Sequence, residues 1–183
     1  DPDCLSSALA LGRIAAAAGI DERRILYSGQ ISHQQNRAFV NLLDIDIEPF
    51  DAATVCDRPD GSLLAFVDHS VPGSNNRVPE GTPVDVVIDH HPAEGIDARF
   101  VDHRVEIGAT ATILAEYVRE LEVELDAALA TALMFAIRRE TLGFLRGATR
   151  AEYEVAGTLH GAADRDLLRR LSNPSVSGAT VDA

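Results

Sequence analysis

Acidic and imidazole side chains cluster at three places in this sequence where they could bind divalent metal ions. The clusters are Asp1 and Asp3, Asp68 and His69, and the triplet Asp89, His90 and His91. Carboxylate oxygens and imidazole nitrogens are ligands that Mn²⁺ and similar ions accept. The triplet follows the apolar run VVI directly, and ionisable groups placed behind a buried strand are costly unless they are used. We therefore interpret these clusters as candidate metal ligands.

Convergence of the three clusters would suit phosphoryl chemistry. Several carboxylates in one crevice repel one another unless cations neutralise them or their pKa values rise. Two metal ions bridged by one carboxylate relieve that repulsion and can hold both the attacking and the leaving oxygen. Each cluster also has a purely structural interpretation: Asp1 and Asp3 as a solvated terminus, Asp68 as a turn cap, and a lone histidine as a structural residue. The three clusters together are more specific than any one of them.

Alternating strands and helices must position these side chains. The predicted strands are 25–29, 62–70 and 84–89, with 98–103 at the sheet edge and 46–51 as a strand or an extended link. The predicted helices are 5–18, 33–43, 108–121, 126–140, 148–161 and 163–171, and 71–84 is a predicted loop. This order predicts an α/β fold, a mainly parallel β-sheet of about five strands with helices on both faces, followed by a helical segment. Asp3, Asp68 and His90 should then converge at the carboxyl edge of the sheet.

Composition restricts the partners and the location of the protein. The 183 residues carry a formal net charge of −13, and all 16 basic residues are arginine. This charge argues against broad binding to nucleic-acid backbones, although it allows one local basic groove. Two cysteines without metal or redox spacing, and the lack of a membrane-spanning or secretory segment, indicate a reduced, cytoplasmic protein. The acidic, lysine-free composition also suggests a halophilic source, a hypothesis tested by comparing folding in dilute buffer and in molar KCl.

Five segments of the chain occur in a characteristic order: DPDCLSSALAL, FVDHS, VIDHHP, GATATILAEYV and AIRRETLGFLRGAT. Together they resemble the DHH phosphoesterases, which include RecJ-type exonucleases, oligoribonuclease/pAp phosphatases, cyclic-dinucleotide phosphodiesterases and manganese-dependent inorganic pyrophosphatases. The resemblance implies that residues 1–172 form the catalytic domain, lacking a strand and a histidine that precede the first motif in the family. It implies that 173–183 are a linker toward a second, substrate-binding domain.

The resemblance also implies a role for each candidate residue. Two Mn²⁺ ions, with Mg²⁺ as the alternative, would activate a water between them for attack on phosphorus. The implied metal ligands are Asp1, Asp3, Asp68 as the bridge, His90, and Glu140, which stands where the family usually has Asp. His91 would contact the substrate phosphate, and Asp89 would orient the histidine pair. Apart from the resemblance, the position of Arg138 and Arg139 beside Glu140 suggests contact with a phosphate, and pairing with surface acids is an equal alternative.

Two further polar groups have less specific interpretations. His33 and Asn36 resemble a segment that commonly follows the first family motif, and polar residues at a helix start are an equal alternative. Asp102, His103 and Glu106 are either a further ligand set or a solvated loop, and we favour the loop.

These features predict a metal-dependent phosphoesterase that hydrolyses phosphodiester or phosphomonoester bonds of short nucleotides. A short oligonucleotide is an equally suitable substrate, whereas a membrane or a long duplex is not expected as a partner. Two alternatives stay open. One is a non-catalytic domain that senses a nucleotide or a metal, which Glu140 in place of Asp would suit. The other is an inorganic pyrophosphatase. A homodimer is compatible with the sequence.

Overall fold

The computed structural model describes residues 1–31 and 33–173. The described helices are α1 (Pro2–Ala17), α2 (Gln34–Leu43), α3 (Ala52–Cys56), α4 (Thr110–Glu120), α5 (Ala127–Glu140), α6 (Arg150–Ala162) and α7 (Arg165–Ser172). The described strands are β1 (Leu26–Tyr27), β2 (Glu48–Pro49), β3 (Ala65–Val67), β4 (Val84–Asp89) and β5 (Ala98–His103). The predicted α/β class, with a helical carboxyl-terminal part, is confirmed. Within these residues no helix is long and apolar enough to cross a membrane.

The strands pair in parallel, as predicted, but they form two sheets. The larger sheet has the order β3-β4-β5, so β5 lies at an edge, and Phe66 pairs with Val87, which in turn pairs with Val101. The smaller sheet contains only β1 and β2, with Tyr27 opposite Pro49. Glu48 and Phe50 donate their N–H groups to the Ile25 and Tyr27 carbonyls at 2.9 and 2.8 Å, so Pro49, which has no N–H, faces away from β1. The expectation of a single sheet is therefore wrong, because the five described strands are divided between two sheets.

Helix α5 is the centre of the main core, because its residues 129–137 are all buried. Helices α1, α4 and α6 pack against it, and Ile88 of β4 joins the same cluster. The other face of the larger sheet packs on a smaller cluster that includes Val55 of α3, Phe66 and Val87. Helices thus lie on both faces, with long helices on one and the short α3 on the other.

Local capping explains where the observed elements depart from the predicted ones. Helix α1 begins at Pro2 rather than residue 5, since Asp1 Oδ1 accepts the Asp3 N–H at 2.8 Å and Pro2 suits the first helical position. Helix α3 was not predicted, and Asp51 caps it by accepting the Ala53 N–H at 3.1 Å. The predicted strand 62–70 is shorter because Asp68, at φ 62°, turns the chain out of β3. In the predicted linker, residues 174–183 lie outside the described residues.

We expect Gly108→Ala to destabilise the fold by about 1–3 kcal/mol, the usual cost of overpacking. A Cβ atom on Gly108 would lie 2.7 Å from the Gly147 carbonyl oxygen and 2.9 Å from Thr141 Cγ2. Urea unfolding measures this change. Gly157→Ala in α6 is the matched control, because a Cβ there meets nothing within 4 Å and alanine favours a helix. Equal effects of the two substitutions would show that the space around Gly108 is not limiting.

Candidate metal centre

The carboxyl ends of β3 and β4 meet the amino ends of α1 and α4, and the predicted ligands of these segments lie together there. Asp68 follows β3, and His90 and His91 follow β4. One potential ligand atom from each of these three residues lies within 4.8 Å of the others. Asp3, in the first turn of α1, lies beside the same group. The expected convergence of Asp3, Asp68 and His90 is therefore present in the structure.

The His90 ring has one satisfied nitrogen and one unsatisfied nitrogen. Its Nδ1 lies 3.0 Å from the Ile107 carbonyl oxygen, which can only accept, so Nδ1 carries the proton in this hydrogen bond. Its Nε2 is buried, has no hydrogen-bond partner among the described residues, and lies 3.7 Å from both Asp3 Oδ2 and Asp68 Oδ1. Burial is the main cause that lowers the pKa of His90, so the neutral ring is favoured. A lone pair that faces two carboxylates fits a bound cation.

Asp3 is fully buried at the amino end of α4. Its Oδ1 accepts the Ala111 N–H at 2.7 Å, and its Oδ2 accepts the Thr110 N–H at 2.9 Å. The residue at the N-cap position of α4, Ala109, has no side chain that could do this. Burial, and next the charge of Asp68, raise the pKa of Asp3 well above its ordinary value. Asp3 therefore caps a helix from a distant part of the chain. Its Oδ1 also accepts the Ser7 hydroxyl at 3.5 Å, whereas its Oδ2, the oxygen nearer to His90 Nε2, keeps a further lone pair for a ligand.

Asp68 is held at the end of β3 in a left-handed backbone conformation, φ 62°. Its Oδ1 accepts the Thr110 hydroxyl at 3.0 Å, and its backbone N–H donates to the Ile88 carbonyl at 3.0 Å. The pKa of Asp68 is raised to about 7, mainly by burial; the Thr110 hydrogen bond opposes this rise, and the charges of Asp89 and Glu140 add to it. The alternative of a simple turn cap does not account for a carboxylate placed in this buried position.

Asp89 organises the histidine pair. Its Oδ1 accepts the backbone N–H groups of His90 at 2.8 Å and His91 at 3.1 Å and lies 2.9 Å from His91 Nδ1, while its Oδ2 accepts the Ser70 hydroxyl. Burial opposes ionisation of Asp89, but the hydrogen bonds from Ser70 and His91 outweigh it and lower the pKa. The His91 side chain is 53% exposed, and its ring centroid lies 4.3 Å from that of His90. Asp89 is thus a stable anion that fixes both histidines.

Most of the other predicted site residues line a cleft of about 510 Å³ beside this group. Asp1, Asp3, Arg139 and Glu140 line it, whereas Arg138 is exposed and is not part of the lining. Glu140 is the last residue of α5, and its charge contributes to the raised pKa values of Asp3 and Asp68. Asp1 is an exposed helix cap and does not belong to the compact group of Asp68, His90 and His91. Within the described part of the chain, no ion pair of Arg138 or Arg139 with an acid is found.

The amino end of α2 also lines the cleft. Its lining residues are His33, Gln34, Gln35 and Asn36. The sequence indicated His33 and Asn36 only through a resemblance, and gave no signal for Gln35, whose side chain donates to the Leu171 carbonyl at 3.0 Å. Ser70 and Thr110 lie inside the motifs FVDHS and GATATILAEYV but were assigned no role, and the structure shows that they hold two of the site's carboxylates.

Asp102 has a different environment from the metal centre. Its carboxylate is bound by Arg104 and by the Tyr117 hydroxyl, each at 2.6 Å. His103 Nε2 lies 2.6 Å from the His91 carbonyl oxygen, and Glu106 is exposed. None of these three residues belongs to the compact group of ligand atoms found among residues 1–31 and 33–173.

The fold and the site together define an α/β protein with a carboxylate and imidazole centre at the ends of parallel strands. The family described as "DHH family, N-terminal domain" matches residues 1–137, and the chain belongs to this family. Over 186 aligned residues it is 35% identical to the uncharacterized protein MJ1633 of Methanocaldococcus jannaschii, covering 100% of this chain and 37% of that relative. It spans little more than a third of that relative's length.

A solved structure supports the same fold. An exopolyphosphatase-related protein from Bacteroides fragilis superposes with a TM-score of 0.78 at 16% identity, over 100% of this chain and 56% of that one. At this identity the similarity concerns the fold alone. The resemblance that the sequence motifs indicated is confirmed at the level of the family by the match over residues 1–137.

Proposed function

We propose that this protein is a Mn²⁺-dependent phosphoesterase that hydrolyses phosphodiester or phosphomonoester bonds of short nucleotides. The observation that carries the proposal is the buried Nε2 of His90, which lacks a hydrogen-bond partner among the described residues and lies 3.7 Å from both Asp3 and Asp68. Nitrogen and carboxylate ligands in this combination suit Mn²⁺, with Mg²⁺ as the alternative. Asp3, Asp68 and His90 would form the centre, and Asp1 and Glu140 would complete the ligands of two ions.

The cations would supply charge neutralisation and an activated water for attack on phosphorus. Residues of the chain would bind the cations and orient the substrate. Asp68, whose pKa is raised to about 7 by burial, would lose its proton when a cation binds. Asp89 would stay ionised and hold the His91 ring through Nδ1, at 2.9 Å, which leaves the other ring nitrogen for a phosphoryl oxygen of the substrate.

The cleft would hold the remainder of a small substrate. Its volume of about 510 Å³ is in the range of small-molecule sites, and one guanidinium, that of Arg139, lines it. Arg138 would meet a phosphate only at the rim, because it is exposed and does not line the cleft. The formal net charge of −13 disfavours long nucleic acids, which require many phosphate contacts. We therefore propose short nucleotides as the substrate class.

A substrate panel with added Mn²⁺ tests this function. The panel comprises pAp, a linear dinucleotide, a cyclic dinucleotide, pyrophosphate and a short polyphosphate, each with and without a chelator. The proposal expects chelator-sensitive turnover of at least one nucleotide. Turnover of pyrophosphate or polyphosphate alone would instead support an inorganic phosphate substrate. Tight Mn²⁺ binding without turnover of any member would favour the sensing domain.

We expect Glu140→Gln to weaken binding of Mn²⁺ by about ten- to a hundredfold, the effect typical of groups that support a metal site. The substitution keeps the size of the side chain and removes its charge. Glu140→Asp tests the reach of the side chain, which changes by about 1.5 Å. Calorimetric titration gives affinity and stoichiometry for each variant. Glu120→Gln is the matched control, because Glu120 is also the last residue of a helix and is exposed. If neither variant at position 140 changes metal binding or rate, Glu140 is not a ligand.

A further inference from the structure

Arg104 is the centre of a polar network outside the metal centre. Its guanidinium donates two hydrogen bonds of 2.6 Å to the Asp102 carboxylate and one of 2.6 Å to Glu116 Oε2. The Tyr117 hydroxyl donates to Asp102 at 2.6 Å as well. The network joins the end of β5 to the middle of α4. Both acids are mostly buried, with 14% and 19% of their side-chain surface exposed, which favours a fixed geometry.

The backbone of Arg104 connects this network to the histidine pair. Its N–H donates to the Asp89 carbonyl at 3.0 Å, and its carbonyl accepts the Ile107 N–H at 3.1 Å. The Ile107 carbonyl in turn accepts from His90 Nδ1 at 3.0 Å. The turn 104–107 is therefore fixed at its start by the side chain of Arg104, and its last residue fixes the proton of the His90 ring on Nδ1.

We propose that Arg104 is a positioning residue for the metal centre, acting through the Ile107 carbonyl to keep the lone pair of His90 Nε2 directed at Asp3 and Asp68. This inference rests on the proposed metal-binding function of His90. Val105 and Glu106 in the same turn are exposed, and apolar packing against the main core is provided at the end of the turn by Ile107. The start of the turn requires another constraint. The side-chain fork of Arg104 supplies that constraint, because two parallel hydrogen bonds to one carboxylate fix direction as well as distance.

Arg104→Gln tests the proposal by two independent measurements on the same protein. Long-range ¹H–¹⁵N NMR of the metal-free protein reports which ring nitrogen of His90 carries the proton, with a His90→Ala spectrum for assignment. Calorimetry reports Mn²⁺ affinity. We expect the variant to show a mixture of His90 tautomers and an affinity lowered about ten- to a hundredfold. Arg99→Gln on β5 is the matched control, because Arg99 makes one exposed ion pair of 3.4 Å to Asp85 and should change neither quantity.

Arg104→Lys keeps the charge but loses the fork, so we expect intermediate changes in both measurements. It also replaces the Gln variant if that variant does not fold. An unchanged His90 tautomer in a folded position-104 variant would overturn the positioning role, whatever the result of the metal titration. If the native protein binds no Mn²⁺ but the tautomer shifts as expected, the proposed metal function fails and the positioning of the His90 ring by Arg104 stands.

Discussion

We expect Asp68→Asn to abolish tight Mn²⁺ binding and to lower phosphoester hydrolysis by about a thousandfold, the equivalent of several kcal/mol of charge stabilisation. Asn keeps an oxygen that can accept the Thr110 hydroxyl, and it tolerates the left-handed backbone that Asp68 adopts at φ 62°. The fold should therefore survive while the charge is lost. Calorimetry and a rate assay measure the two effects, and Asp46→Asn, at an exposed position, is the control for loss of one charge.

Asp68→Asn should lower activity, but in the absence of metal it should raise the stability of the fold relative to the native protein as the pH rises. The folded pKa of Asp68 is about 7, above its ordinary value of 3.8, so the protonated form favours the folded state. This contribution is complete below about pH 4 and is lost as the pH rises to about 7. We expect the melting temperature of Asp68→Asn minus that of the native protein to increase between pH 5 and pH 8, measured with a chelator. A pH-independent difference would contradict the burial of an ionising carboxylate at this position.

The second large effect concerns the different roles of His90 and His91 in metal binding and in turnover. His90→Ala removes the nitrogen that lies 3.7 Å from both Asp3 and Asp68, so we expect Mn²⁺ affinity and turnover to fall together. His91→Ala should leave affinity within a few fold and lower the rate by about a hundredfold, the usual contribution of one positioned acid–base group. The reason is that His91 is half exposed and is held by Asp89 at 2.9 Å.

Metal titration and steady-state rates of both histidine variants test this division of roles. His160→Ala is the control for loss of an exposed imidazole, because His160 lies in α6 and does not line the cleft. Equal loss of metal affinity in the variants at positions 90 and 91 would make both histidines ligands. That result would agree with the short separation of Asp68, His90 and His91 and would remove His91 from the role of substrate contact.

The sequence predicted the parts of the site that follow from strand ends. Asp68 and His90 follow apolar segments, and parallel strands bring their carboxyl ends to one edge, so their proximity was predictable. The start of α1 was missed, since the predicted helix began at residue 5, although Asp1 followed by Pro2 is a helix-start signal in the sequence. The hydrogen bond that Asp3 accepts from the amino end of α4 could not be predicted, because it joins residues 107 positions apart and depends on how the two helices pack.

Other features depend on tertiary structure alone. The left-handed conformation of Asp68 ends β3 earlier than predicted. The apolar run SLLAFV does not indicate where within it the strand begins or ends. The division of the strands into two sheets could not be predicted, because the strand propensities of single residues do not say which strands pair with each other. Arg104 gave no signal in the sequence, because its partners Asp102 and Glu116 come together only when β5 and α4 are in place.

Anomalous diffraction from crystals soaked in Mn²⁺ tests the central claim most directly, because it locates the ions without an assay. We predict two peaks about 4 Å apart, one of them at a coordination distance on the order of 2 Å from His90 Nε2 and an Asp68 oxygen. An ordered structure with no peak within about 4 Å of His90 Nε2, at a Mn²⁺ concentration that supports turnover, would contradict a metal centre at this site.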